Sequence, residues 1–216
     1  MTPRVAVLAS GGGSNLQAIL EYFDAQRPER SAEVVLVASD RASARALERA
    51  RSRNIASVAL DAVQRTDGMA ALLASHDIDL VALAGYMRFV PGEVTRRWHG
   101  RIVNVHPSLL PSFGGAGMYG SRVHQAVIAA GVRVTGVTVH FVDEEYDRGP
   151  IIAQWPVPVL PDDAPETLAE RVLAVEHMLY PAALDAVASG RVALGTDGRV
   201  TGWSADFAFI CSPQPV

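Results

Sequence analysis

Over its first hundred residues the chain alternates short, unbroken apolar runs with segments of helical spacing, and nothing else in the sequence constrains the fold as much. The runs are "RVAVLAS" from Arg4, "AEVVLVASD" from Ala32, "IASVAL" from Ile55, "IDLVALAGY" from Ile78 and "RIVNVH" from Arg101. Between them lie "LQAILEYF", with Leu16, Ile19, Leu20 and Phe23 at helical spacing, "ASARALERARSRN" and "DGMAALLASH". A strand with no polar alternation is buried on both faces. Strands of that kind separated by amphipathic helices give an α/β fold, in which a mainly parallel, twisted sheet carries helices on both faces.

The second half changes character. "SRVHQAVIAAG" reads as a helix with Gly131 near its C-terminal end, and two β-rich runs follow, "VRVTGVTVHFV" and "PIIAQWPVPVL". They predict an antiparallel strand among residues 133–159. A long helix is expected from Pro165 to about Ser189, with Pro181 kinking or splitting it. "VALGTDGRVTGW" has the Asp-Gly signature of a terminal hairpin. No linker or repeat interrupts the 216 residues, so a single domain is expected over 1–216.

The chain is 49% hydrophobic and 19% charged, with a formal net charge of −4, which excludes a general basic field for nucleic acid or an anionic membrane. One cysteine, Cys211, rules out an internal disulfide and suits a reducing compartment. The first apolar run is too short for a signal-peptide core, and none approaches a membrane span. The expectation is a soluble cytoplasmic protein, with monomer and homodimer both open.

Gly11-Gly12-Gly13-Ser14-Asn15 falls between the first strand and the first helix. Amides at a helix N-terminus can hold a phosphate, and glycines let it approach. The match to a dinucleotide fingerprint is partial. Gly11 and Gly13 fit its first two glycines and Asp40 its later acid, but Leu16 takes the third glycine position. A plain turn capped by Ser14 or Asn15 is the competing reading.

"NVHPSLLP" carries two polar groups where a buried strand ends at a proline. Asn104 and His106 are two apart, so they share one face, at the strand end where open α/β sheets place ligands. An amide donor beside an imidazole suits a developing oxyanion and a proton transfer. A carboxylate partner for the histidine is sought in "HFVDEEYDRGP"; Asp147 is the choice, because Arg148-Gly149-Pro150 leads straight into the next strand. Leu110-Pro111 is a candidate cis bond in the turn that follows. The acidic run is no calcium loop, since Arg148 stands where the turn glycine belongs and Gln154 where the bidentate glutamate belongs. No histidine or cysteine pair has zinc spacing.

"ASGGGSNLQAI", "LAGYMRFV", "NVHPSLLP", "GVTVHFVDEEYDRGPII" and "VEHMLYP", in this order over most of the chain, resemble the folate-dependent phosphoribosylglycinamide formyltransferases of the formyltransferase superfamily. The resemblance implies a Rossmann-like formyltransferase fold and two substrates, 10-formyltetrahydrofolate as co-substrate and 5-phosphoribosylglycinamide, with no metal. It implies phosphate binding at Gly13, Ser14 and Asn15 and ribose binding near Glu176. Folate binding falls to Arg65, to Met87, Arg88, Phe89 and Val90, and to Asp143, Glu144 and Glu145, with catalysis at Asn104, His106 and Asp147. On this basis residues 1–100 form a phosphate-binding half, 101–190 a catalytic and folate-binding half, and 191–216 a terminal hairpin and tail. Hydrolysis of formyltetrahydrofolate, formyl transfer to another amine, and a non-catalytic nucleotide-binding module are the alternatives.

Overall fold

The computed structural model describes residues 1–26 and 28–202. Five strands, β1 (Arg4–Leu8), β2 (Glu33–Ser39), β3 (Ala56–Ala59), β4 (Leu80–Leu83) and β5 (Ile102–His106), are joined through helices α1 (Ser14–Ala25), α2 (Arg45–Arg51), α3 (Met69–Ser75) and α4 (Gly92–Arg97). Helix α5 (Ser121–Ala129), strands β6 (Val134–Phe141) and β7 (Ile151–Pro158) and helix α6 (Pro165–Ala188) complete the main body.

The seven strands form one sheet in the order β3-β2-β1-β4-β5-β6-β7. Strands β1 to β5 pair in parallel, and β6 and β7 are added antiparallel. Successive side chains of β1 explain its unbroken apolar run: Val5 and Val7 enter the core under α1 and α6, and Ala6 and Leu8 the core under α3 and α4. The mainly parallel sheet, the helices on both faces and the antiparallel addition are thus as expected.

The chain winds one way from β1 to β3 and the other way through β4 and β5, so the strand order reverses between β1 and β4. Ligands of open α/β sheets bind outside the carboxyl ends of the strands at such a point. The glycine loop leaves β1 there and Gly85 follows β4; Met87 N donates to Ser10 Oγ at 2.8 Å and ties the two loops together.

Two elements differ from the sequence reading. Helix α4 has six residues, too few for a helical period to show. Helix α6 runs through Pro181 unsplit. The missing N–H removes one intrahelical bond, whereas Leu179, Tyr180 and Ala183 are fully buried, and that packing keeps the helix continuous. The expected hairpin is present as β8 (Ala193–Leu194) and β9 (Val200–Thr201), turning at Gly198 with φ 77°. Residues 204–216, with Cys211, lie outside the described residues. No helix among the described residues is long and apolar enough to cross a membrane.

Candidate active site

Gly13 is the N-cap of α1, in the left-handed conformation (φ 71°), and no side chain caps the helix. The reading in which Ser14 or Asn15 caps it is therefore set aside: both belong to the first turn, whose amides have no intrahelical partner. Arg49 Nε donates to the Gly12 carbonyl at 2.9 Å, which engages the loop's acceptor and leaves its donors for a ligand. The Asn15 amide donates to Glu176 Oε2 at 2.6 Å, while Asn15 Oδ1 is buried with no protein partner. Burial lifts the Glu176 carboxyl to about 7, against the opposing pull of the Asn15 N–H.

The loop, Asn15 and Glu176 line a cavity of about 470 Å³ that also takes in Arg41, Ser121 and His124. A second cavity, of about 230 Å³, is lined by Met87, Arg88, Phe89 and Val90 on one side and Asp143, Glu145 and Asp147 on the other. Asn104 and His106 stand in its wall. The two cavities share Gly85, Met87, Val105, Pro107 and Gly120 and so form one crevice. The rings of Phe89 and Tyr146 meet edge to face, 5.0 Å between centroids, both well exposed at the mouth of the second cavity.

In the wall of the second cavity, Asp147 lies between two histidines, with Oδ2 3.5 Å from His106 Nδ1 and Oδ1 3.7 Å from His140 Nε2. It is held there by a left-handed backbone (φ 54°) and by the Gly115 N–H, which donates to Oδ2 at 2.8 Å. Gly149 permits the turn, because a side chain at that position would run into the Phe141 carbonyl. His106 Nε2 donates to the Phe113 carbonyl at 2.9 Å. Both nitrogens of His106 therefore face acceptors, an arrangement that a doubly protonated ring satisfies. His140 Nδ1 donates to the Phe141 carbonyl at 2.8 Å, which leaves Nε2 to accept from the Asn104 amide at 3.1 Å. Burial lowers the His140 pKa; the Phe141 carbonyl and Asp147 act against it. Leu110-Pro111, in the turn leaving β5, is cis.

Two residues expected at the folate are not on the crevice wall. Arg65 donates to the Leu60 carbonyl at 3.0 Å, folding back on its own turn. Glu144 accepts from Arg96 at 2.8 Å, drawn outward by helix α4. Asp40 accepts from Arg88 Nε at 3.3 Å, beside Tyr86, whose hydroxyl is pushed up to about 12 by burial and by Asp40. Among the wall residues that the sequence does not single out are Arg41, His124 and Tyr146. Arg41 alone had a usable signal, since it follows a parallel strand end next to the glycine loop. His140, the first residue of the segment searched for a partner to His106, pairs directly with Asn104 across the antiparallel ladder.

The chain matches the formyl transferase family over residues 3–184, and it belongs to that family. It is 45% identical over 203 residues to the trifunctional purine biosynthetic protein adenosine-3 of Gallus gallus, covering 91% of this chain and 20% of that protein. It therefore spans about a fifth of that relative's length. It is 40% identical over 202 residues to the chloroplastic phosphoribosylglycinamide formyltransferase of Arabidopsis thaliana, covering 90% of this chain and 68% of that protein. Among solved structures, the phosphoribosylglycinamide formyltransferase of Anaplasma phagocytophilum superposes with a TM-score of 0.84 at 40% identity, covering 94% of each chain.

Proposed function

We propose that the chain transfers the formyl group of 10-formyltetrahydrofolate to the amine of 5-phosphoribosylglycinamide, a step of de novo purine biosynthesis. The observation that carries this reading is the shared crevice: a cavity ending on an uncapped helix N-terminus joins, through Gly85, Met87, Val105, Pro107 and Gly120, an apolar-walled cavity that holds Asn104, His106 and Asp147. A phosphate on the amides of Gly13, Ser14 and Asn15 and a ribose against Glu176 direct the rest of the nucleotide toward Pro107. The pteridine of the donor then lies along Met87, Arg88, Phe89 and Val90 and the Asp143–Asp147 turn. Residues 1–100 supply the phosphate side and 101–190 most of the chemistry.

The amine attacks the formyl carbon directly, with no covalent enzyme intermediate. One N–H of Asn104 is spent on His140, and the other stabilises the tetrahedral oxyanion. Protonated His106 stabilises the same charge and, once its Nε2–H leaves the Phe113 carbonyl, gives that proton to the departing folate nitrogen, while Asp147 compensates the positive ring. Losing one oxyanion donor costs about 10²–10³ in rate, and general acid help is worth about 10²–10⁴. The sequence of steps needs no metal.

The test follows the consumption of 10-formyltetrahydrofolate with and without 5-phosphoribosylglycinamide. Consumption that requires the ribonucleotide and yields its formamide is the expected result. Equal consumption without it means hydrolysis and overturns the reading.

A further inference from the structure

The proton that the attacking amine must lose has no recipient among Asn104, His106 and Asp147, which serve the oxyanion and the folate side. His124, in the wall of the adjoining cavity, supplies one. It lies in α5 between Val123 and Val127 in the set of buried residues, is 5% exposed, and lines the cavity that ends on the glycine loop. Its Nδ1 is buried with no hydrogen-bond partner, and among the described residues no side chain or backbone group bonds to either ring nitrogen. A buried polar atom left unpaired costs about 1–3 kcal/mol, so an unpaired imidazole in a cavity wall calls for a ligand or a role.

The geometry points to His124 as the base of the acceptor side, a further catalytic residue that takes the amine proton as the new C–N bond forms. This rests on the formyl-transfer reading above. The bonds balance. The amine nitrogen bonds to the formyl carbon and passes one proton to His124. The carbonyl re-forms, the bond from that carbon to the folate nitrogen breaks, and that nitrogen takes a proton from His106. Return of a proton from His124 to solvent and uptake of one by His106 restore the enzyme, so one hydrogen has moved from amine to folate. Burial first, and then the charge of nearby His106, lower the His124 pKa, which keeps the ring neutral and able to accept.

Steady-state kinetics of the full chain with both substrates tests this, using His124→Gln and His124→Ala, with thermal melts to confirm folding. Glutamine can accept a hydrogen bond but cannot take the proton. Both variants should lose about 100-fold or more in kcat while KM for each substrate stays within about threefold. Added imidazole should restore part of the activity to His124→Ala. Near-native kcat in His124→Gln overturns the proposal, as does a loss confined to KM; should His124→Ala fail to fold, His124→Gln alone decides. Acceptor-dependent turnover in the native chain with an unaffected His124→Gln rejects only this role, whereas no acceptor-dependent turnover in the native chain rejects the transfer reaction and this role together.

Discussion

A single carboxyl shows how burial sets chemistry in this crevice. Glu176 is 8% exposed, and among the described residues its polar anchor is one amide N–H from Asn15. Its proton is held to about 7, above the ordinary value of 4.5. The folded state thus binds that proton more tightly than the unfolded chain. The resulting stabilisation is full below pH 4.5 and is lost as pH rises through about 7. Glu176→Gln keeps an oxygen for Asn15 and removes the titration. Thermal melts at pH 5 and pH 8 should show the native protein comparing best with the variant at pH 5. The variant should gain on it by up to about 1.4 kcal/mol per pH unit across the window. A gap between the two proteins that does not move with pH rejects the assignment. At this scale the sequence was informative where spacing alone sets direction. Asn104 and His106 share a face because they are two apart in a strand, and the structure puts Asp147 3.5 Å from His106. It was silent on His124, because one histidine inside an amphipathic helix looks like any other core position. The outward turn of Glu144 depends on Arg96, forty-eight positions away in the chain, and no local pattern encodes that pairing.

The glycine loop joins two elements, and Gly12 and Gly13 do different work in it. Gly13 has φ 71°, and a Cβ there would sit 2.9 Å from Ala46 Cα on α2. The chain needs glycine at that position both for conformation and for contact. Gly12 has neither demand, since a Cβ there meets nothing within 4 Å and the residue lines the cavity. Gly13→Ala should lower the melting temperature and shift α2, so its kinetics would mix packing with binding. Gly12→Ala should melt with the native protein and raise KM for the ribonucleotide while leaving KM for the folate unchanged. Equal changes in both KM values, or a Gly13→Ala variant as stable as the native chain, would remove the basis for this division. Strands and long helices were legible because both periods run over several residues. Helix α4 was not, and at Pro181 the split did not occur, because a local helix-breaking preference says nothing about the buried face that holds the helix together.

At the scale of the molecule, the crevice is held open by the strand-order reversal between β1 and β4 and closed on one side by the antiparallel β6 and β7. Helix α6 packs against α1, α5 and strands of the second half, so it spans the line where the two halves meet. Tyr180 anchors it. The side chain is completely buried, and its hydroxyl lies 3.0 Å from the Leu83 carbonyl and 2.9 Å from the Val103 carbonyl, on the adjacent strands β4 and β5. One hydroxyl proton serves two acceptors, and full burial raises the Tyr180 pKa well above its ordinary value, so the group remains a donor at any working pH. Tyr180→Phe keeps the ring and its packing but leaves the two carbonyls without that donor. The expected loss is about 1–3 kcal/mol, and each kcal/mol in a chain of this size lowers the melting temperature by roughly 2–4 °C. Because Tyr180 lies beneath the strands rather than in the crevice wall, kcat below the melting range should stay close to native. Thermal denaturation followed by circular dichroism, with kcat measured at 25 °C ~ well below the transition, separates the two effects. A variant that melts with the native protein would show that the hydroxyl is no tie between helix and sheet, and one that keeps its melting temperature but loses turnover would place Tyr180 in the chemistry instead.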